Sequence, residues 1–194
     1  MKNKIFKVGI TGHRDLKKEC IYYYQNQVHS LLADLQKKHN EIVIYSPLAD
    51  GADRLIVYEA IKLGIEYIVV LPMPKESYIM DFENGSEIEF NTLLENAKDI
   101  TVIPLMNDNT LEKISNNGVY RDMQYEACGY YLADSCEILI ALWDGKYIGL
   151  AGGTGEIIKH YIMKQRYILY HLLVSRSKDT SNIKLEFKRY ENSS

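Results

Sequence analysis

The segment Glu137–Lys159, EILIALWDGKYIGLAGGTGEIIK, leaves few folds open. Its first part, Ile138 to Trp143, is an unbroken apolar run, too short for a membrane span and the right length for a strand buried on both faces. Its last part sets Ile157-Ile158 and Tyr161-Ile162 four residues apart, on one face of a helix. Between them stands Gly152-Gly153-Thr154-Gly155-Glu156. Glycines carry no Cβ and let a ligand approach the backbone, and the free N–H groups of the following helix favour an anion. Strand, glycine loop and helix in that order make a phosphate cradle over Gly152, Gly153, Thr154, Gly155 and Glu156. The competing reading is a turn that only needs positive φ.

The same alternation runs upstream. Ile5 to Ile10 predicts a first strand, followed at once by Thr11-Gly12-His13-Arg14. A helix is expected from about Leu16 to Lys38, with Leu16, Cys20, Tyr24, Val28, Leu31, Leu32 and Leu35 on its apolar stripe. Glu41–Tyr45 predicts a second strand, residues 46–54 a loop and helix start, Gly64 a helix cap, and Tyr67–Leu71 a central third strand. Successive β-then-α units argue for an α/β fold: an open parallel sheet with helices on both faces. Pro72 to Asn84 breaks the rhythm as an excursion over the sheet's carboxyl edge, ahead of a helix near Ser86–Ala97 and a fourth strand at Ile100–Ile103. Asn107–Gly118 is expected to be mobile, and Tyr120–Asp134 helical with Met123, Ala127, Tyr130 and Tyr131 inward. Tyr167–Val174 and Ile183–Phe187 have strand character, and Glu191–Ser194 is expected to be a disordered tail. One domain over 1–194 is expected, with a core of about 5–163 and an extension over 164–194.

At 194 residues the chain can bury a large core. Its formal charge of −3 gives no case for a basic nucleic-acid surface and argues against nucleic acid as a partner. No segment reaches the ~18 apolar residues of a membrane helix, and MKNKIFKVGI carries no cleavage pattern. Cys20, Cys128 and Cys136 are odd in number and lack metal-ligand spacing. Reduced thiols in a cytoplasmic protein are therefore expected, with neither metal nor cofactor.

Ligands of open α/β sheets bind beyond the carboxyl ends of the strands. Four polar loops fall there: Thr11–Arg14, Ser46–Arg54, Pro72–Phe82 and Asp144–Glu156. His13 and Arg14 suit an anionic group, against capping or core placement for His13 and pairing of Arg14 with Asp50 or Asp53. Asp50, Gly51, Ala52 and Asp53 could face the ligand or cap a helix, and Arg54 could supply a second cation. Asp144 could bond ribose hydroxyls or shape a turn, and Trp143 could be core or stacking surface.

In order along residues 5–163, Gly9-Ile10-Thr11-Gly12-His13-Arg14, Pro47–Arg54, Trp143-Asp144-Gly145 and Gly152–Glu156 together resemble the SLOG superfamily. This Rossmann-like group includes DprA and the LOG phosphoribohydrolases. By resemblance to LOG enzymes, Glu156 and Arg121 would be catalytic, Glu156 beside the ribose and Arg121 orienting phosphate or leaving group. The match departs from LOG enzymes where Trp143–Ala151 intervenes before the glycines and Thr154 precedes Gly155. Other SLOG members bind nucleotide-derived ligands without turnover, including sensors in bacterial antiviral defence. The expectation is binding or sensing of a nucleotide-derived small molecule, with homo-oligomerisation left open. Cleavage of an N-glycosidic bond in a nucleoside monophosphate is the alternative, and a third reading, single-stranded DNA binding as in DprA, is weakened by the negative net charge.

Overall fold

A computed structural model describes residues 5–82, 85–164, 167–179 and 186–192. Strand β1 (Phe6–Gly12) lies mid-sheet because its apolar residues are flanked by two further apolar strands. On one side stand β2 (Ile42–Ser46), β3 (Tyr67–Leu71) and β4 (Asp99–Val102); on the other stand β5 (Ile138–Trp143), β6 (Tyr167–Leu173) and β7 (Phe187–Asn192). The first six strands are parallel, and β7 returns antiparallel along β6. Ile10 faces Ile140 across the β1–β5 pair, and Gly12 faces Leu142. Val8, Ile10, Val43, Val69, Val70, Ile140 and Leu142 are all buried, as the apolar runs predict.

Alternate side chains serve opposite layers. Val8, Ile10, Ile138, Ile140 and Leu142 pack on α1 (Ile21–His39) and α2 (Ala52–Lys62). Leu139 and Ala141 pack on Ile157, Ile158 and Tyr161 of α6 (Thr154–Ile162), while Val43, Tyr45 and Val70 meet α5 (Val119–Ser135). Helices therefore cover both faces, with α3 (Lys75–Tyr78) and α4 (Ser86–Glu95) on the connection from β3 to β4. Gly64, at φ 68°, follows α2 where a left-handed residue ends the helix. None of the helices among the described residues is long and apolar enough to cross a membrane.

Several boundaries differ from expectation. The first helix begins at Ile21, after a 3-10 turn over Lys18–Cys20, because Leu16 bridges to Arg176 instead of entering the helix. On α5 the buried positions are Arg121, Gln124, Cys128, Gly129, Leu132 and Ala133, whereas Tyr131 is exposed. That face is rotated from the expected one because it includes two polar residues that a hydrophobic pattern turns outward. Within Asn107–Gly118, Ile114 is fully buried, and the buried Asn109 donates to the Tyr120 carbonyl and to Gln124, so this segment is docked. Glu191 and Asn192, expected in a disordered tail, pair with Ile168 and Tyr167 in β7. Of the strand expected at Ile183–Phe187, residues 183–185 lie outside the described residues.

Candidate functional site

Helices leave β1 and β5 toward opposite faces of the sheet, so the loops beyond these two neighbouring strands part and open a crevice. A cleft of about 900 Å³ lies there. It brings together Gly12, His13, Arg14, Asp144, Gly152, Gly153, Thr154, Gly155 and Glu156 from the sequence reading. Its far wall is Met80–Phe82, delivered by α3 (Lys75–Tyr78) and the 3-10 turn after it.

Arg14 is exposed to the cleft and lies 5.5 Å from the Tyr125 ring centroid, a cation–π contact that holds the guanidinium in place. Among the described residues it forms no ion pair, neither with Asp50 nor with Asp53. Opposite, α6 begins at Thr154. Its first turn bonds Glu156 N and Ile157 N to the Gly153 carbonyl, and the Thr154 and Gly155 amides make no backbone bond of this kind. Two N–H groups and the positive end of a helix dipole are thus open to an anion.

His13 Nε2 stands 3.0 Å from Asp144 Oδ1, at ion-pair distance though off hydrogen-bond alignment. Asp144 also accepts from the Lys146 amide at 3.0 Å, which makes it the residue that shapes the turn after β5. Burial opposes its charge, but the Lys146 amide and the His13 ring hold its pKa below the ordinary carboxylate value.

The glycines have intramolecular partners. Gly152 has φ 68°, and a β-carbon there would fall 2.7 Å from Tyr125 Cβ and 2.8 Å from Glu126 N, so the loop rests against α5. A β-carbon at Gly155 would meet the Tyr147 ring at 3.1 Å and the Trp143 ring at 3.3 Å. Trp143 is half-buried between this helix start and His171. The turn reading thus accounts for Gly152, while the Thr154 and Gly155 amides stay without a backbone partner.

Residues 50–54 do not line the cleft. A β-carbon at Gly51 would collide with the Arg14 carbonyl, and Ala52 N donates to the His13 carbonyl, so this turn packs behind the His13-Arg14 loop. Asp50 pairs with Arg54 and accepts from Ser86. Arg54 is buried with Asp50, Glu89, Ser86 and the Leu48 carbonyl. Asp53 is fully buried and accepts from Ala49 N; burial raises its pKa to about 7, against the opposing pull of that amide, Arg14 and Arg54. Thr11 is a buried strand residue opposite Ala141. Arg121 is also outside the lining: its three nitrogens bind Asp81 and the Ile114 and Ser77 carbonyls, fastening the far wall.

No protein-family model and no curated protein matches the sequence. The chain superposes on DNA processing protein A (DprA) from Streptococcus pneumoniae with a TM-score of 0.58 at 16% identity, over 86% of this chain and 50% of that one. DprA from Helicobacter pylori, whose structure describes a single-stranded DNA binding mode, gives a TM-score of 0.51 at 18% identity, over 86% of this chain and 65% of that one. The fold is a Rossmann-like α/β fold, shared with these DprA structures. The chain spans about half to just under two thirds of the length of these proteins, and at such identity the likeness concerns the fold alone.

This likeness corrects the expected partners. The net charge argued against nucleic acid, and a nucleotide-derived small molecule was the expected partner, yet a structural neighbour of like fold binds single-stranded DNA. A net charge averages over the whole surface, whereas a strand is held by local cations and stacking surfaces. Lys146, Arg176 and Lys178 also line the cleft and escaped the sequence reading. Their signal was available in part, since a parallel β6 opens its carboxyl end on the same edge.

Proposed function

We propose that the cleft binds the phosphate of a nucleotide unit, presented by a single strand or by a free nucleotide. One observation supports this most: Arg14, exposed and unpaired with any carboxylate among the described residues, shares the cleft with the open Thr154 and Gly155 amides. A cation and a helix N-terminus facing one space suit a phosphate oxygen. Glu156, in the first turn of α6, is an acceptor beside that position and suits a sugar hydroxyl.

Arg14→Ala tests the reading. We expect at least a tenfold loss of affinity for a labelled oligothymidylate and for nucleoside monophosphates, with an unchanged circular dichroism spectrum. Wild type that binds neither, or an Arg14→Ala protein that binds both as wild type does, would sink it. Chromatography of the same incubations reads turnover. We expect no free base; release abolished by Glu156→Gln with binding retained would instead establish hydrolysis.

A further inference from the structure

The chain beyond β6 forms a strap across the carboxyl edge. Val174 N donates to the Trp143 carbonyl at 3.1 Å, Lys17 N to the Ser175 carbonyl at 3.0 Å, and Ser177 N to the Asp15 carbonyl at 2.7 Å. Ser175 N donates to the buried Tyr24 hydroxyl at 2.7 Å, and Arg176 N to Asp179 Oδ2 at 2.7 Å. These bonds hold Arg176 and Lys178 against the cleft they line.

Arg176 is held by its Nε alone, which donates to Asp15 Oδ1 at 2.9 Å and Oδ2 at 3.1 Å. Its terminal nitrogens make no hydrogen bond among the described residues. Lys146 enters from the β5 loop, with Nζ 3.8 Å from Asp179 Oδ1, and Lys178 is exposed. Three cations stand here among the carboxylates of Asp15, Asp144 and Asp179, so what this corner offers a ligand is the terminal nitrogens of Arg176 and the exposed Lys178. Arg14 follows β1 and Arg176 follows β6, with β5 between, so two strand spacings of about 10 Å in all separate their parent strands. That exceeds the single oxygen bridge of a diphosphate and suits phosphates on either side of a nucleoside.

Resting on the reading of Arg14 as the first phosphate site, we infer that Arg176, Lys178 and Lys146 form a second one, so that the ligand is a nucleoside phosphorylated at both its 5′ and 3′ positions. An internal residue of a strand and a free nucleoside bisphosphate share this chemistry.

The test titrates thymidine 5′-monophosphate, 5′-diphosphate and 3′,5′-bisphosphate, with a short oligothymidylate as the strand arm. Wild type should bind the bisphosphate at least tenfold more tightly than the monophosphate, and the diphosphate about as the monophosphate. Arg176→Ala/Lys178→Ala should erase the bisphosphate advantage and leave monophosphate affinity unchanged. Lys178→Glu, at an exposed position, gives the same readout at about threefold or more should the double variant fold poorly. Oligothymidylate weakened in parallel identifies a strand as the source; bisphosphate weakened alone identifies the free nucleotide. Equal affinity for mono- and bisphosphate, or an equal loss of both in the variants, overturns the second site while leaving the Arg14 reading intact. Binding of none of the probes removes both.

Discussion

Asp53 is a buried carboxyl within reach of the charges of Arg14 and Arg54, and burial raises its pKa to about 7. An unfolded aspartate titrates near 3.9, so folding takes up a proton between about pH 4 and pH 7. Stability from this group is full below that window, falls as pH rises through it and stays low above it. Asp53→Asn keeps an acceptor for Ala49 N and removes the titration. Urea midpoints should show wild type losing on the order of 2 kcal/mol more than the variant between pH 5 and pH 8; parallel slopes would refute the assignment. Gly152 allows a second residue-scale expectation. Alanine there would strain a φ of 68° and press on Tyr125 and Glu126. We expect a stability loss of about 2 kcal/mol or more, visible by urea melting without any ligand. A Gly152→Ala protein as stable as wild type would return that glycine to a purely ligand-facing part.

Helix α5 shows best where pattern reading succeeds and where it stops. Its existence was legible from composition and spacing, but its buried face was not, because Arg121 and Gln124 are inward. Gln124 is fully buried and donates to the Pro72 and Pro104 carbonyls while accepting from Met106 N and Asn109. A hydropathy pattern assigns such a residue to solvent, since the partners that satisfy it come from distant loops. Gln124→Leu should cost on the order of 3 kcal/mol by orphaning these groups, measured by denaturant unfolding. Arg121→Lys loses the fork that grips Asp81 and two carbonyls, so its melting temperature should fall by several degrees, with ligand affinity declining only as the Met80–Phe82 wall loosens. A fully stable Arg121→Lys protein that has lost ligand affinity would give Arg121 the orienting part its family resemblance implies. The sheet elements were easier to anticipate: fully apolar runs such as Ile138–Trp143 can be satisfied only between two layers. Loop positions were harder. Asp50–Arg54 follows a strand end as Thr11–Arg14 does, but whether such a turn faces the crevice or packs behind its neighbour depends on contacts that no local pattern encodes.

Across the whole molecule, cations and carboxylates meet in the cleft: the chain is net negative, and Arg14, Lys146, Arg176 and Lys178 line the cleft beside Asp15, Asp81, Asp122, Asp144 and Glu156. A strand held at two phosphates should show a log–log salt slope of about −1.4, falling by roughly half in Arg176→Ala/Lys178→Ala; a slope near zero in wild type would exclude phosphate-led binding. The strap that supplies half of these cations ties residues 15–17 to residues 175–177. Contacts so remote along the chain form late, because the entropy of closing a long loop must be met before they contribute. As the polypeptide leaves the ribosome, β1 to β4 can pair early, while the other side of β1 waits for β5, more than a hundred residues downstream. The cleft is therefore among the last features to exist. A nascent or truncated chain holds a half-sheet with an apolar edge and no cleft, so the proposed ligand competence would report that synthesis and folding have both reached the strap.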